Sequence, residues 1–298
     1  MGIRAPCTTP RGNPAGRPVP SSAVPNRFNP APIVKAITRI IAKRTRVLHG
    51  TQSGSASGFA CALFFITLMG GIMFLRERAT QAEYFDDLRP HEELKSFYRS
   101  LERVNRFFLN GEPFQRMIPG LLGPDLCGKL SLLDLGAGDG SLGQELTAWA
   151  RNRGWEWTVT NLDLHPRALE LGKGERVAGS AIDLPFLDDT FDVVIASQMT
   201  HHLPCVQIPR HFAESWRVAS QAVLISDLHR NALLYATLFL SLRLQGHSRD
   251  FIADALLSVK RGWRVGEMRK LVKKSGITQL HVRLYFSARV LVMGRKQH

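Results

Sequence analysis

A short glycine-rich segment carries the clearest chemical pattern in the chain. Residues 132–141 read Leu-Leu-Asp-Leu-Gly-Ala-Gly-Asp-Gly-Ser, so that Asp134 is followed by Gly136, Gly138 and Gly140. The apolar residues predict a buried strand, the glycines predict a tight turn, and the residues that follow predict a helix. Glycine is needed where the backbone has a positive φ or where a ligand approaches the main chain closely. The segment therefore predicts a ligand-binding loop at the carboxyl end of a strand.

A second carboxylate follows the next predicted strand. Asp163 lies in Asn161-Leu162-Asp163-Leu164, 23 residues after Gly140. A carboxylate at this position can accept charge-assisted hydrogen bonds from both hydroxyls of a ribose, so the pair of motifs predicts an adenosine-containing cofactor. A dinucleotide site would favour a further glycine, where this chain has Ser141. A tight turn that binds no ligand would need the same glycines, and that alternative stays open on this segment alone.

A third motif supplies a family resemblance. Residues 179–186 read Gly-Ser-Ala-Ile-Asp-Leu-Pro-Phe, and residues 188–194 read Asp-Asp-Thr-Phe-Asp-Val-Val. The three motifs, in this order and at these separations, resemble class I S-adenosylmethionine-dependent methyltransferases of the small-molecule, ubiquinone- and menaquinone-biosynthesis-like group (type 11). The resemblance covers residue 77 to the C-terminus. It implies S-adenosylmethionine as the cofactor.

The resemblance also implies a role for each motif. Asp134 and the glycine loop would hold the methionine part of the cofactor, Asp163 would bind the ribose, and Leu164 would pack against the adenine. The loop that begins at Ser180 would contact the adenine edge. The family usually has Asp where this chain has Ser180, so we expect Asp183 or the backbone N–H of Ala181 to compensate. The full cofactor-binding set is Asp134, Gly136, Ala137, Gly138, Gly140, Asp163, Leu164, Ser180, Ala181, Ile182, Asp183 and Ser197.

Candidate catalytic residues follow the fourth and fifth predicted strands. Methyl transfer from a sulfonium is an in-line displacement, and an acceptor hydroxyl can also need a general base, for which histidine suits neutral pH. His201 and His202 follow the apolar run at residues 191–197, counted as the fourth strand, and Asp227 and His229 follow the run at 222–226, counted as the fifth. Asp227 and His229 could form a carboxylate–imidazole pair that faces the same pocket. Alternatively, these residues only fix the conformation of their loops.

The elements that position these residues follow an α/β pattern. Short β-rich runs at residues 130–135, 157–162, 191–197 and 222–226 alternate with helical patterns, which predicts a parallel sheet. Apolar residues at helical spacing predict a helix over residues 90–109, and runs at 279–285 and 288–293 predict a terminal hairpin. The fold class is α/β: a Rossmann-like, seven-stranded, mostly parallel sheet with helices on both faces and a C-terminal antiparallel β-hairpin.

An apolar segment lies between the predicted strand at residues 222–226 and the predicted terminal hairpin. Residues 232–244 are more hydrophobic than one face of an amphipathic helix requires. They predict either a packed core helix or a lid over a lipophilic substrate, as part of a helical insertion at about residues 228–262.

The N-terminal region has a different composition. Residues 1–76 contain ten of the 39 basic residues and no acidic residue, which leaves a net charge of only +4 on the rest of the chain. We expect residues 1–57 to form a basic extension with an amphipathic segment at 31–48, followed by an apolar segment at 58–76 and the methyltransferase domain at 77–298. Three interpretations of residues 31–75 stay open: a cleaved organelle-targeting segment, an in-plane membrane anchor, or an extension upstream of the true start.

These observations narrow the function. The balanced charge after residue 77 argues against a nucleic-acid partner, and the spacing of the four cysteines predicts no metal site. We expect a cytoplasmic or membrane-associated methyltransferase that acts on a small, lipophilic or aromatic acceptor, with O-methylation favoured over C-methylation. The alternatives are a non-catalytic interaction module with the methyltransferase fold, and a protein or nucleic-acid methyltransferase.

Overall fold

Seven strands form one mixed sheet in the computed structural model, which describes residues 75–86, 89–123 and 128–297. The strands are β1 (Lys129–Leu135), β2 (Glu156–Asp163), β3 (Glu175–Ala178), β4 (Phe191–Ser197), β5 (Ala219–Leu228), β6 (His281–Tyr285) and β7 (Arg289–Arg295). Their order across the sheet is β3-β2-β1-β4-β5-β7-β6. The first five strands pair in parallel, and β7 runs antiparallel to both β5 and β6. The predicted fold class is confirmed, including the terminal hairpin.

Eight α-helices accompany this sheet within the described residues. They are α1 (His91–Phe107), α2 (Glu112–Leu122), α3 (Ser141–Arg151), α4 (Pro166–Glu170), α5 (Ile208–Val218), α6 (Ala232–Leu244), α7 (Arg249–Arg261) and α8 (Val265–Ser275). Two short 3-10 turns, Tyr84–Asp86 and Thr200–His202, complete the structure around the site. The predicted helix at 90–109 corresponds to α1.

Alternating side chains of the strands bury the two faces of the sheet. Leu133 and Val194 face one core with Phe212 and Met268 of helices α5 and α8. Their sequence neighbours, such as Leu132, face a second core with residues of α2 and α3. This period of two, with both faces apolar, explains why the strands read as continuous hydrophobic runs.

The insertion between β5 and α8 consists of α6 and α7. Asn231 caps α6 by accepting the N–H of Leu234, and Ser248 caps α7 by accepting the N–H of Phe251. Leu234, Leu238 and Leu242 are buried in a third core that also includes residues of α1 and α7. Other apolar residues of α6 stay exposed, among them Leu233 at 64%. The role of α6 as a lid remains a prediction.

Two details differ from the sequence-based expectation. The sequence analysis did not locate β3, because this edge strand has four residues that are mostly exposed and lacks an apolar run. The hairpin loop has three residues rather than two, and Phe286 and Ser287 have positive φ there.

The N-terminal predictions lie largely outside the described residues. This applies to the amphipathic segment at 31–48 and to all but the end of the apolar segment. Among the residues that are described, no helix is long and apolar enough to cross a membrane.

Candidate active site

The glycine loop connects β1 to α3 at the carboxyl edge of the sheet. Gly136, Gly138 and Gly140 have φ values of 68°, 57° and 71°, which side chains other than glycine rarely tolerate. The N–H groups of Gly136 and Ala137 donate to the Leu162 carbonyl at 2.8 and 3.1 Å. The loop is therefore folded back onto the end of β2, where Asp163 lies.

Asp163 holds this loop through its carboxylate. Its Oδ2 accepts the N–H of Gly138 and its Oδ1 accepts the N–H of His165, both at 2.8 Å. The neighbouring Leu164 is 65% exposed although it is a large apolar residue. A buried acid and an exposed leucine thus lie side by side at the end of β2.

Asp134 is the most unusual ionisable group of the site. The residue is 1% exposed, and its Oδ2 has no hydrogen-bond partner among the described residues. Burial raises the pKa of Asp134 to about 8, and the negative charges of Asp163 and Asp139 add to the effect. A cationic or hydrogen-bond-donating ligand group would satisfy the unpartnered oxygen.

Helix α1 brings a tyrosine to the loop that the sequence analysis did not single out. A Cβ atom built on Gly138 would lie 2.6 Å from Cε1 of Tyr98 and 3.0 Å from its hydroxyl. Burial and the nearby charges of Asp163 and Asp139 raise the pKa of the Tyr98 hydroxyl well above its usual range. Tyr98 was missed because its helical spacing resembles that of an ordinary core residue.

The third motif forms a turn after β3. The Ser180 carbonyl accepts the N–H of Asp183 at 3.2 Å, and Ser180 Oγ lies 3.4 Å from the N–H of Ile182. Asp183 directs its carboxylate to Arg210, 3.1 Å away, and its side chain is 77% exposed. The Ala181 carbonyl lies within hydrogen-bonding distance, 3.0 Å, of His211 Nδ1.

Polar side chains after α1 meet the end of β4. Asn110 Oδ1 accepts hydrogen bonds from Ser197 Oγ at 3.0 Å and from Gln198 Nε2 at 2.9 Å. Gln198 also donates to Asn105, and its φ of 51° is rare for a residue other than glycine. The two asparagines were not predicted, since nothing in their local sequence distinguishes them from helix-end residues.

His201 is buried and is held in place by Asp227. Asp227 Oδ1 lies 2.7 Å from His201 Nδ1, and Oδ2 accepts the His201 N–H at 2.8 Å. The hydroxyl of Thr200 also donates to Asp227, and Trp263 Nε1 donates to that hydroxyl. Burial alone would raise the pKa of Asp227, but His201 and these hydrogen bonds hold it well below its usual range.

The expected Asp227–His229 pair is wrong. His229 Nδ1 lies 3.0 Å from the carbonyl of Ser287 and 3.0 Å from Asn231 Nδ2. The carboxylate of Asp227 is already occupied by the turn that follows β4. His229 instead contacts the loop of the β6–β7 hairpin.

The segment before α1 supplies two further acids to the same region. His202 Nδ1 lies 2.6 Å from Asp86 Oδ1, and its Nε2 lies 3.9 Å from Glu83 Oε2. The other oxygen of Glu83 is 3.5 Å from His201 Nε2. Burial raises the pKa of Glu83, partly offset by His202. No local motif marks Glu83 or Asp86 as site residues.

Comparison with known proteins agrees with this geometry. A family model described as a methyltransferase domain (type 11) matches residues 133–225, from β1 to β5. A demethylmenaquinone methyltransferase from Roseiflexus sp. (strain RS-1) is 32% identical over 111 residues, which are 36% of this chain and 45% of that protein. The chain therefore aligns with less than half of that relative's length.

A solved methyltransferase structure shares this fold. The plantazolicin methyltransferase BpumL in complex with SAH has a TM-score of 0.50 and 12% identity, over 69% of this chain and 90% of that one. A SAM-dependent methyltransferase from Aquifex aeolicus has a TM-score of 0.44 and 15% identity, over 70% and 99% of the two chains.

The sheet order, the glycine loop and the acid after β2 are the features that the resemblance to class I S-adenosylmethionine-dependent methyltransferases implies. Residues 133–225 match the type 11 methyltransferase family model. The predicted resemblance is thereby confirmed.

Proposed function

We propose that this chain transfers a methyl group from S-adenosylmethionine to a small, lipophilic or aromatic acceptor, and that oxygen is the accepting atom in preference to carbon. The observation that carries the proposal is the pairing of the glycine loop with two acids. Asp163 accepts the Gly138 N–H, and Asp134 keeps one buried oxygen with no hydrogen-bond partner in the part of the chain that the structure describes. These groups match the polar parts of an adenosyl amino acid.

The residues of the loop fit such a cofactor part by part. The unpartnered oxygen of Asp134 would accept a hydrogen bond from the ammonium of the methionine moiety, beside the backbone of Gly136, Ala137, Gly138 and Gly140. Asp163 has lone pairs left for the ribose hydroxyls after its two backbone bonds. Exposed Leu164 would cover one face of the adenine, and Ser180–Ile182 its edge. Asp183 and Ser197 complete the proposed set.

The remaining residues would serve the acceptor. S-adenosylmethionine, when bound, supplies an activated methyl group on a sulfonium. The contribution of the protein is to hold the acceptor in line with that methyl group and to exclude water. An acceptor hydroxyl must also lose a proton. His201, His202, His229 and Asp227 remain the proposed catalytic set, with Asp227 positioning His201.

The name of the curated relative supports a small lipophilic acceptor. That protein is called a demethylmenaquinone methyltransferase, and menaquinones are lipophilic quinones. The exposed apolar residues of α6, such as Leu233 and Phe239, supply a surface of matching character. An acceptor of this class is the natural first member of a substrate panel.

Binding of the cofactor is tested by calorimetry with the purified full-length chain. We expect S-adenosylmethionine to bind at sub-millimolar concentration and NADH not to bind. Asp163→Ala should weaken binding by about 100-fold or more, since it removes a charged group that accepts several hydrogen bonds. It should also lower the unfolding temperature, because Gly138 and His165 lose an acceptor. The matched control is Asp188→Ala, which removes an exposed acid paired with Arg217. Normal binding by Asp163→Ala would refute the proposed ribose site.

Activity is tested separately. The chain is incubated with labelled S-adenosylmethionine and a panel of phenols, quinols and lipid extracts, and mass spectrometry detects the gain of one methyl group. Fragmentation of the product assigns the methyl group to oxygen or carbon. Cofactor binding without methylation of any small molecule would favour a protein or nucleic-acid acceptor. The absence of cofactor binding would favour the non-catalytic module.

A further inference from the structure

Three ligand atoms converge beside the turn Thr200–His202. Nε2 of His201 lies 3.5 Å from one oxygen of Glu83, and Nε2 of His202 lies 3.9 Å from the other. The ligand atoms of all three residues lie within 4.8 Å of one another. Glu83 and His201 are buried, with side chains 7% and 3% exposed.

The hydrogen bonds of the two imidazoles determine what these atoms offer. Asp227 lies against Nδ1 of His201 and Asp86 lies against Nδ1 of His202, at 2.7 and 2.6 Å. A carboxylate at Nδ1 places the proton there, so the neutral ring keeps a lone pair on Nε2. Both lone pairs are then directed at a third acceptor, the carboxylate of Glu83. Three acceptors facing one another are stabilised by a cation between them, which can be a proton or a metal ion.

Arg261, a protein cation that contacts Glu83, does not fill this position. Arg261 Nη1 is 3.3 Å from Glu83 Oε1, but its short bond, 2.6 Å, is to Asp86 Oδ2. Ser258 donates to Glu83 Oε2, and Glu83 Oε1 has no hydrogen-bond partner in the described part of the chain. Three carboxylates (Glu83, Asp86 and Asp227) surround the two imidazoles; Arg261 contacts two of them, and Arg78 and Arg289 act on Asp227.

The geometry has the form of a transition-metal site. Two histidines and one carboxylate are a common ligand set for zinc and related ions, and ligating histidines usually donate their other N–H to a carboxylate. Ligand atoms about 2.1 Å from a tetrahedral ion lie about 3.4 Å apart. Here the two nitrogens lie 3.5 and 3.9 Å from different oxygens of Glu83, and one ligand atom from each residue lies within 4.8 Å of the others. Three protein ligands leave a fourth position open, and the His202 side chain, 34% exposed, gives access to it.

We propose that Glu83, His201 and His202 bind one divalent transition-metal ion, with Zn²⁺ as the representative ion, and that Asp227 and Asp86 orient the two histidines. The open position of the ion takes an oxygen atom of the acceptor; this role, unlike metal binding itself, rests on the proposed function. An ion there lowers the pKa of a hydroxyl that it binds. The sequence predicted no metal site, because Glu83 is distant in the chain from the His201–His202 pair.

The experiment measures metal binding without cofactor or acceptor. The full-length chain, purified without a polyhistidine tag and treated with chelator, is titrated with Zn²⁺ by calorimetry and with Co²⁺ by visible absorption. We expect one ion per chain and a Co²⁺ spectrum of tetrahedral type. His202→Ala should weaken binding by more than 100-fold. Asp86→Asn changes the partner of His202 Nδ1 and the acceptor of both Arg261 and the Glu83 N–H, and should weaken binding by about 10- to 100-fold.

Controls separate this result from unfolding and from surface binding. His281→Ala removes an exposed histidine on β6 and should bind the ion as the unmodified chain does. Circular dichroism of each metal-free variant checks the fold, and Glu83→Gln provides a second ligand variant of unchanged size. Absence of a stoichiometric site, or equal affinity in His202→Ala and His281→Ala, would overturn the proposal and leave a proton as the cation between the three groups. Because no methyl donor is present, these outcomes do not depend on the proposed function.

Discussion

At the scale of single residues, the site is dominated by acids that are held close together. Asp134, Asp139 and Asp163 lie around the glycine loop, and the first of them is almost completely buried. A cluster of like charges at low dielectric keeps one member protonated at neutral pH. A bound ammonium group would reverse that effect, which makes Asp134 a sensitive indicator of the state of the site.

The raised pKa of Asp134 predicts a pH-dependent stability. Its pKa is about 8 in the folded chain against an ordinary value of 3.8, so between these two values the folded state keeps a proton that the unfolded state loses. The free energy of unfolding therefore falls as pH rises through this window, by at most about 1.4 kcal/mol per pH unit, and levels off above the folded pKa. Asp134→Asn cannot lose a proton. Its stability relative to the unmodified chain should therefore rise from pH 5 to pH 8, as measured by urea unfolding.

A surface substitution provides the reference for this measurement. Asp188→Asn changes an acid whose side chain is 73% exposed, and exposed pairs contribute little to stability. A stability difference for Asp134→Asn that stays constant over the pH range would contradict the assignment of a neutral, buried acid.

At the scale of elements, the glycine loop is shaped by α1 as much as by β1 and β2. Tyr98 of α1 lies against Gly138, and the turn after α1 carries Asn110 to the end of β4. The loop is thus enclosed between the sheet and a helix that precedes it in the chain. This contact explains why Gly138 must lack a side chain.

Gly138→Ala tests this contact against backbone strain alone. Gly138 and Gly154 both have positive φ, 57° and 73°, but a Cβ on Gly154 would meet nothing within 4 Å. Alanine at either position costs about 1–2 kcal/mol of backbone strain. Only Gly138→Ala must also displace Tyr98, so it should be the less stable variant in urea and should lose S-adenosylmethionine binding by calorimetry.

A third variant separates the helix contact from other causes. Tyr98→Ala removes the ring that the new Cβ would meet, so in a Tyr98→Ala background the substitution Gly138→Ala should cost less stability than it does in the unmodified chain. Equal stabilities for the Gly138 and Gly154 variants would show that α1 does not constrain the loop.

At the scale of the whole molecule, the segment before α1 packs against the residues around α8 and against the turn that follows β4. The carbonyl of Leu75 accepts hydrogen bonds from Arg230 and Arg264 at 3.1 and 2.9 Å. Arg78 lies over the ring of Trp263, 4.0 Å from its centroid, and donates to the His201 carbonyl. Residues 75–86 therefore stabilise the C-terminal helices and the turn that holds both histidines.

Two truncations test this role. The described residues all lie within one compact unit, Thr67–His298, so a chain that begins at residue 67 should keep the unfolding temperature of the domain. A chain that begins at residue 80 leaves buried Arg230 without one acceptor and removes Arg78. A buried donor without a partner costs about 1–3 kcal/mol, so this chain should melt several degrees lower in a thermal scan. Equal melting temperatures would show that residues 67–79 do not contribute to the fold.

Much of the fold follows from local sequence, because buried strands require apolar runs and tight turns require glycine at particular positions. Continuous apolar runs predicted β1, β2, β4 and β5, and the three glycines predicted the turn whose positive φ values the structure contains. Asp163 could be placed beside that turn from the connectivity of a parallel sheet alone. The short edge strand β3 escaped prediction because its exposed residues carry no periodic signal.

The pairing of side chains was decided by the tertiary structure. The sequence suggested His229 as the partner of Asp227, and the packing of the turn after β4 selects His201 instead. Asp86 contacts His202 across 116 residues of the chain, and Tyr98 reaches Gly138 from a separate helix. Sequence spacing reports which residues share a strand or a helix face. It carries no information on how two distant elements pack, and that packing determines which acid meets which imidazole.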